Sequence, residues 1–600
     1  MSRQGERKTK RIRLISYFPE LLLLLVCGAL LLGNIDKKQG YHMDELLSFE
    51  LANAEFNPWI VPTQPQGRLA KFVENELRGD SFGETVDNMV ATVKDVVENR
   101  GNSKLLSYKA DVYEEPVWME RETFVDYVTV DETDDFSYLS VYFNVKDDNH
   151  PPLHFALLHT VSSLFKGEIT PLMGCVINLV CVLVVMVLLM KLGRWFMVIR
   201  GVPEWGRFTG FVVAAVYGLS VGAVSTTLLI RMYAMVTFWC VALLAIHVRK
   251  IFSYMLGGTD FTEHNKLLVL VTVLGFWTQY FFLFYCLILA VVTVVILWMQ
   301  KRKQGVCCYI RSMVLAAIIG VGLFPFAISD VFSSGRGVEA LENLSEGFAG
   351  YGSRLAAFAG ILGRETGSVC LLIPFLVVVC GFSIRRWFVP SGREGSKMRN
   401  GAGLLAVLWI PLVGYFLLAA RMSPYLVNRY IMPVFPVFTL VMVAAVCKGI
   451  GFVSIRHKKE KLAKILAGVL AGVLVCGQFL ILIGHESKYL YLGYDAQREL
   501  AEEYSEYPCI CVYQGVGYYE NLLEFTEYDR TLLVTTQELS DRQETESLTE
   551  LSKAVILVKA GLDRDAVEHV LETKYGLCEV KTLMNEGAPY GDSVFIVEHR

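Results

Sequence analysis

What this chain can fold into is set by one repeating feature, an apolar stretch of about twenty residues followed by a short polar or basic loop. Segments apolar enough to cross a hydrocarbon layer recur near 14–33, 171–190, 208–228, 232–248, 267–280, 281–299, 311–329, 367–384, 402–420, 431–447 and 462–484. Lipid offers no partner for a backbone N–H or C=O, so such segments must satisfy their own polar groups as helices. The pattern predicts an α-helical polytopic membrane protein with about eleven transmembrane helices. Composition agrees: 53% hydrophobic against 19% charged residues is far too apolar for a soluble chain of this length.

Charge sets the sidedness. The first segment follows the basic run Arg7-Lys8-Thr9-Lys10-Arg11-Ile12-Arg13, which reads as an uncleaved anchor with a cytoplasmic basic tail at 1–13. With that end inside, the inside loops become 191–207, 249–266, 301–311, 385–399 and 448–464, and each carries several Lys or Arg residues. The positive-inside rule is obeyed at every one. An error of one helix would swap all later loops, so the count is supported as a whole.

The transmembrane domain then spans 14–484, with long outside loops at 34–170 and 330–366 and an extracytoplasmic region over 485–600. Helical patterns run through 67–99 and 120–127, and 338–344 and 350–362 are amphipathic enough to lie at the interface. The last region changes to short β-type runs at 509–513, 531–535, 554–559 and 593–598 with a helical stretch at 566–575, which predicts a small α/β domain. Cys509, Cys511 and Cys578 lie there, and export would allow one disulfide among them. Most other cysteines sit in apolar segments as small hydrophobes. The net charge of -4, with cations only in short runs, excludes a nucleic-acid partner.

Polar residues at the predicted outer helix ends are few. They are Tyr41-His42-Met43-Asp44-Glu45, His150-Pro151-Pro152-Leu153-His154, Arg231-Met232-Tyr233, Gln279-Tyr280, and Arg421 with Asn428-Arg429-Tyr430. A carboxylate able to accept a proton and guanidiniums able to hold a phosphate thus share one predicted side. Aromatic residues at Phe276-Trp277, Tyr280-Phe281-Phe282 and Phe284-Tyr285 read as an interfacial belt or a groove for a lipid chain.

In these motifs and their order the chain resembles the GT-C superfamily, polytopic glycosyltransferases that use polyprenyl-phosphate sugars. It is most similar to bacterial members related to protein O-mannosyltransferases and to the aminoarabinose transferase of lipid A. The residues carrying this are Tyr41-His42-Met43-Asp44-Glu45-Leu46, His150-Pro151-Pro152-Leu153-His154-Phe155, Arg231-Met232-Tyr233 and Asn428-Arg429-Tyr430-Ile431-Met432-Pro433. It covers the chain to about residue 450, without the β-trefoil domain of eukaryotic mannosyltransferases, and the 485–600 region names no acceptor.

The resemblance implies a transferase acting at the outer face of the cell membrane, on a polyprenyl-phosphate sugar and a lipid, glycan or protein acceptor, with inversion if the acceptor attacks directly. Asp44 looks like the catalytic carboxylate, with Glu45 beside it orienting the acceptor or binding metal. Arg231, Arg421 and Arg429 would face the donor phosphate, with Tyr233, Tyr280, Tyr430 and His150 as further donor contacts. No cofactor motif is present. His150 and His154, four apart, with Glu45 or Asp44, have the residue types for a divalent metal, although Pro151 and Pro152 place His150 just before the helix. Two other readings are a transporter or flippase of lipid-linked saccharide, which calls for mid-membrane charges and paired broken helices, and a non-catalytic anchor displaying its outside domain.

Overall fold

The computed structural model describes residues 17–255, 261–263, 265–332, 338–339, 342–343, 350–367, 395–457, 460–541, 546–587 and 590–600. The basic tail at 1–13, nearly all of the 367–384 segment and half of the 338–344 segment lie outside the described residues. The chain divides into two compact units, one of residues 1–37, 146–154 and 174–490, the other of 38–145, 155–173 and 491–600.

The first unit is helical, and the chain is a multi-pass membrane protein. Seven helices among the described residues are long and apolar enough to cross: Phe18–Ile35, Pro171–Ile199, Tyr233–Met255, Phe282–Met299, Lys303–Leu323, Ala402–Met422 and Glu460–Ile483. An eighth span is broken, with Pro203–Gly218 and Val221–Leu228 meeting at 58°. Ser220 makes that break tolerable, because its Oγ donates to the Tyr217 carbonyl (2.7 Å) and accepts from Ala223 N–H (3.2 Å). A helix broken amid apolar neighbours needs such local partners.

Two predicted spans differ. Lys266–Phe276 has eleven residues, about 16 Å at 1.5 Å per residue, too short to cross about 30 Å of hydrocarbon alone. Of the 431–447 segment only 434–447 is α-helical, in a helix apolar over Val434–Ile450 that continues to His457.

Arg207, in a predicted inside loop, pairs with Glu20 at the start of the first span (Nη2 to Oε2 2.7 Å), and His247 bonds Tyr309 (3.0 Å). Ends predicted to lie outside likewise bond one another: Leu153 N–H to the Trp277 carbonyl (3.0 Å), Tyr280 to Asp330 (2.6 Å) and Asn428 to Glu365 (2.8 Å).

The second unit is built on a six-stranded sheet. Its strands are β1 (Trp118–Glu120), β2 (Cys509–Tyr513), β3 (Arg530–Thr535), β4 (Lys553–Val558), β5 (Leu577–Gly587) and β6 (Asp592–His599), ordered β1-β3-β2-β4-β6-β5. β3, β2 and β4 are parallel and the outer strands antiparallel. The four predicted runs fall on β2, β3, β4 and β6, and the helix on Arg564–Tyr575, whose Val567, Leu571 and Tyr575 bury against the sheet.

The C-terminal region does not stand alone, because β1 comes from the 34–170 loop. Arg121 fastens that edge through Nε to the Tyr528 carbonyl (3.1 Å) and Nη2 to the Ser505 carbonyl (3.1 Å). Tyr518 and Tyr519 bond the carbonyl and N–H of Ile60 (2.9 and 3.2 Å). No disulfide joins Cys509, Cys511 and Cys578, which are free. Cys509 and Cys511 are two apart on β2, whereas Cys578 is on β5, three strand spacings or about 14 Å away, beyond disulfide reach.

Close packing in the first unit rests on glycine where Pro171–Ile199 meets Gly206–Gly218. A Cβ on Gly210 would fall 2.3 Å from the Met190 carbonyl oxygen, and one on Gly193 2.8 Å from Gly210 Cα. Backbones approach this closely only without side chains. Gly210→Val is expected to destabilise the protein by about 1–3 kcal/mol through overpacking, read as a lowered thermal midpoint of the detergent-purified protein. An unchanged midpoint would show that this contact does not hold the two helices together.

Candidate functional site

The acidic pair lies at the start of the Met43–Asn53 helix, in the second unit. That helix is buried on nearly all sides. Asn53 Nδ2 donates to the Val128 carbonyl (2.7 Å) and Asn144 Nδ2 to the Ala54 carbonyl (2.6 Å), fixing its C-terminal end. Its N-terminal end is a capping box: His42 Nδ1 accepts from Asp44 N–H (3.1 Å), and Glu45 Oε2 accepts from His42 N–H (2.9 Å). Negative side chains here also meet the positive end of the helix dipole.

The two acids then part. Glu45 is fully buried, and Lys38 Nζ donates to both of its oxygens (3.2 and 3.0 Å). Lys38 itself is sandwiched by aromatic rings, with Nζ 4.4 Å from the Tyr491 centroid and 5.5 Å from that of Tyr41. Both oxygens of Glu45, expected to orient the acceptor or bind metal, are thus engaged in the helix cap and the ion pair with Lys38. Asp44 keeps 21% of its side chain exposed, with its Oδ2 3.6 Å from His42 Nδ1. His42 in turn stacks on Tyr491 (6.3 Å).

The predicted cations and tyrosines lie in the first unit, in two groups. One is built around Asp148, a buried carboxylate that sequence reading missed and that bonds His150 Nδ1 (2.9 Å). Burial raises the Asp148 carboxyl, but the His150 contact and the Arg231 charge outweigh it and hold it below the usual range. Arg231 is buried in the turn between Val221–Leu228 and Tyr233–Met255, where Asn178 Nδ2 donates to the Leu229 carbonyl (2.5 Å). Burial, Arg231 and His150 together push His154 down to about 3, a neutral imidazole. Tyr280 donates to Asp330 (2.6 Å), and burial followed by the Asp330 and Asp148 charges pushes its hydroxyl up. Asp330 is a second carboxylate the sequence did not single out.

In the other group Tyr430 packs edge-on against Tyr233 (6.2 Å) and Phe281 (5.5 Å), and its carbonyl accepts from Tyr415 (3.1 Å). Arg429 lies over the Tyr430 ring (5.5 Å), and its charge bears on Lys488. The preceding Asn428 donates to Glu365 (2.8 Å) and accepts from the Tyr489 hydroxyl. Arg421 lies instead over Tyr351 (5.6 Å). The spacing signal thus found Arg429, Tyr430 and Tyr233 together, but missed Glu365, Lys488 and Tyr489, which come from distant segments.

The expected metal set does not form. No group of three or more His, Cys, Asp or Glu side chains stands together as metal ligands among the described residues. Glu45 is occupied by Lys38 and His42, and His150 by Asp148. These residues do not fit a divalent ion.

No protein-family model matches the chain, and no curated protein matches it. Several solved structures are similar to it. One is ArnT from Cupriavidus metallidurans bound to undecaprenyl phosphate, at 12% identity and a TM-score of 0.45, covering 75% of this chain and 88% of that one. The apo state of the same enzyme gives 11% and 0.41, covering 75% and 87%. The oligosaccharyltransferase of Archaeoglobus fulgidus, tethered to an acceptor peptide, gives 10% and 0.39, covering 96% and 74%. Likeness this distant carries no functional argument.

The buried Lys38–Glu45 pair gives a direct test of the acidic end. Lys38→Met leaves a carboxylate buried without its cation and is expected to cost about 3–5 kcal/mol, read as a lower thermal midpoint in detergent. Adding Glu45→Gln, which can still accept from His42 N–H, should recover most of the loss. Equal destabilisation by the single and double variants would contradict the assignment.

Proposed function

We propose that this protein is a membrane glycosyltransferase that moves a sugar from a polyprenyl-phosphate donor to an acceptor at the outer face of the cell membrane, with inversion. Asp44 is the general base. It removes the proton from the acceptor hydroxyl or amine as the acceptor oxygen or nitrogen bonds to the anomeric carbon. The bond from that carbon to the phosphate oxygen breaks, and its electron pair leaves on the polyprenyl phosphate. A phosphate is already a good leaving group, so the protein has to supply a base and cations for the departing charge.

The observation that carries this reading is the division of labour between adjacent acids. Glu45 is consumed by Lys38 and the helix cap, while Asp44, held on the same rigid turn, keeps an exposed edge. A solvated helix cap alone would need no buried cation behind it. For the phosphate, Arg429 and Arg231 are the proposed contacts, supported by their places among Tyr430, Tyr233 and Lys488 and beside His150 and Asp148. Arg421, stacked on Tyr351, is left out of this role. The paired broken helices expected of a transporter are not what the described spans present, which include one bent pair.

The experiment incubates purified protein with radiolabelled polyprenyl-phosphate sugars and candidate acceptors. Asp44→Asn should cut transfer by about 10²–10⁴-fold, the span of general-base catalysis, while still binding the donor. Glu45→Gln, keeping the cap, should lose far less. Transfer by Asp44→Asn at the wild-type rate would remove the mechanism. Movement of a lipid saccharide across vesicles without any transfer would favour transport.

A further inference from the structure

The turn that leads into the acidic helix is held, residue by residue, from the far end of the chain. Gln39 Oε1 accepts from Gly493 N–H (2.6 Å), and the Tyr41 carbonyl accepts from the Tyr590 hydroxyl (3.2 Å). Between them Gly40 leaves room for Tyr494, since a Cβ there would fall 2.2 Å from the Tyr494 Cβ. His42 stacks on Tyr491 (6.3 Å, 30° between ring planes). Each residue from 39 to 42 thus meets a partner from 491–494 or Tyr590, and Asp44 follows directly on this turn.

The three tyrosines also hold one another. Ring centroids of Tyr491 and Tyr494 lie 5.0 Å apart, and those of Tyr494 and Tyr590 4.9 Å. Tyr590 is anchored to the sheet: Lys559 Nζ lies 4.8 Å from its ring and donates to Oδ2 of Asp592 (2.9 Å), the residue that opens β6. Lys559 and Asp592 are both buried. At the other end Tyr491 has φ +47°, in the left-handed region that a bulky side chain enters only under strain. Such strain persists where the surroundings over-determine it, and here the Tyr491 ring meets Lys38 Nζ (4.4 Å) as well as His42. Lys38 is the cation of Glu45 and His42 accepts from Asp44 N–H, so one ring reaches the partners of both acids.

We propose that Tyr491, Tyr494 and Tyr590 are positioning residues that fix Asp44 through the 39–42 turn, which makes the region after residue 490 part of the catalytic site. This rests on the transferase reading, in which Asp44 is the base. The tyrosines need not touch substrate, because they act through Gly40, Tyr41 and His42. A base must stay within hydrogen-bond reach of the proton it takes, and a displacement of about 1 Å costs up to about 10²-fold.

The test uses the full-length protein in detergent with two readouts. One is transfer from radiolabelled polyprenyl-phosphate sugars, resolved into kcat and donor KM. The other is carboxylate labelling by a water-soluble carbodiimide and glycinamide, mapped by mass spectrometry. Tyr491→Ala and Gly40→Ala should each lower kcat about 10- to 100-fold with donor KM within about twofold, and Tyr491→Phe, which keeps the ring, should recover kcat to within about threefold of wild type. Glu45, buried in the wild type, should become labelled in Tyr491→Ala and Gly40→Ala, whereas Glu50, buried farther along the same helix, should stay unlabelled. Labelling of Glu50 together with Glu45 would show general unfolding and overturn the positioning role. Wild-type kcat in both variants, with Asp44→Asn inactive, overturns the proposal and leaves the transferase reading standing. Wild-type transfer by Asp44→Asn sinks that reading, and the labelling then decides alone: Glu45 exposed in Tyr491→Ala supports the hold on the turn, and Glu45 still protected overturns it. Should Gly40→Ala fail to fold, the two Tyr491 variants decide.

Discussion

A hydrocarbon layer accepts no unpaired backbone polar group, and that constraint organises most of this protein. Spans must be closed helices, so the side chains that can do chemistry collect where helices end or break. Arg231 sits in the turn after a broken span whose carbonyls Asn178 caps, Tyr280 lies between Lys266–Phe276 and Phe282–Met299, and Arg429 opens the turn before Val434–His457. Each sits where the backbone leaves the regular helix, and bonds to other segments lie at or beside it: Tyr280 to Asp330, Asn428 before Arg429 to Glu365, and Asn178 to the Leu229 carbonyl before Arg231.

The acidic turn obeys a related rule in a different setting. A carboxylate can be fully buried only when a cation and hydrogen bonds replace water. Glu45 meets that demand through Lys38 and His42, and the resulting turn carries Asp44 beside it without burying it completely. Neighbouring acids of the same charge thus differ in exposure because of their surroundings. In the first unit Glu365, Asn428 and Tyr489 repeat the pattern, buried and hydrogen-bonded in a row.

Much of this was legible in the sequence. Hydropathy placed the long spans because length and apolarity are local properties, and alternation located β2, β3, β4 and β6. The 267–280 segment gave a shorter helix, Lys266–Phe276, because an apolar run does not reveal where the helix stops. β1 and β5 were missed, the first being three residues inside a polar loop and the second a long edge strand with polar residues such as Glu579, Lys581 and Asn585. The motif residues Asp44, His150, Arg231 and Arg429 stood out because they flank apolar runs. Lys38, Asp148, Asp330, Glu365 and Lys488 did not, since their meaning comes from partners elsewhere in the chain. For Glu45 the sequence left two duties open, orienting the acceptor or binding metal, because a motif does not show the bond to Lys38.

The account turns on direct displacement of a polyprenyl phosphate by an acceptor that Asp44 deprotonates. The most direct measurement is the anomeric configuration of the product, read by NMR coupling after transfer from a donor of known anomer. The account predicts a single product with the configuration inverted. A product that retains the donor's configuration would require a second displacement or another nucleophile, and would contradict the role given to Asp44.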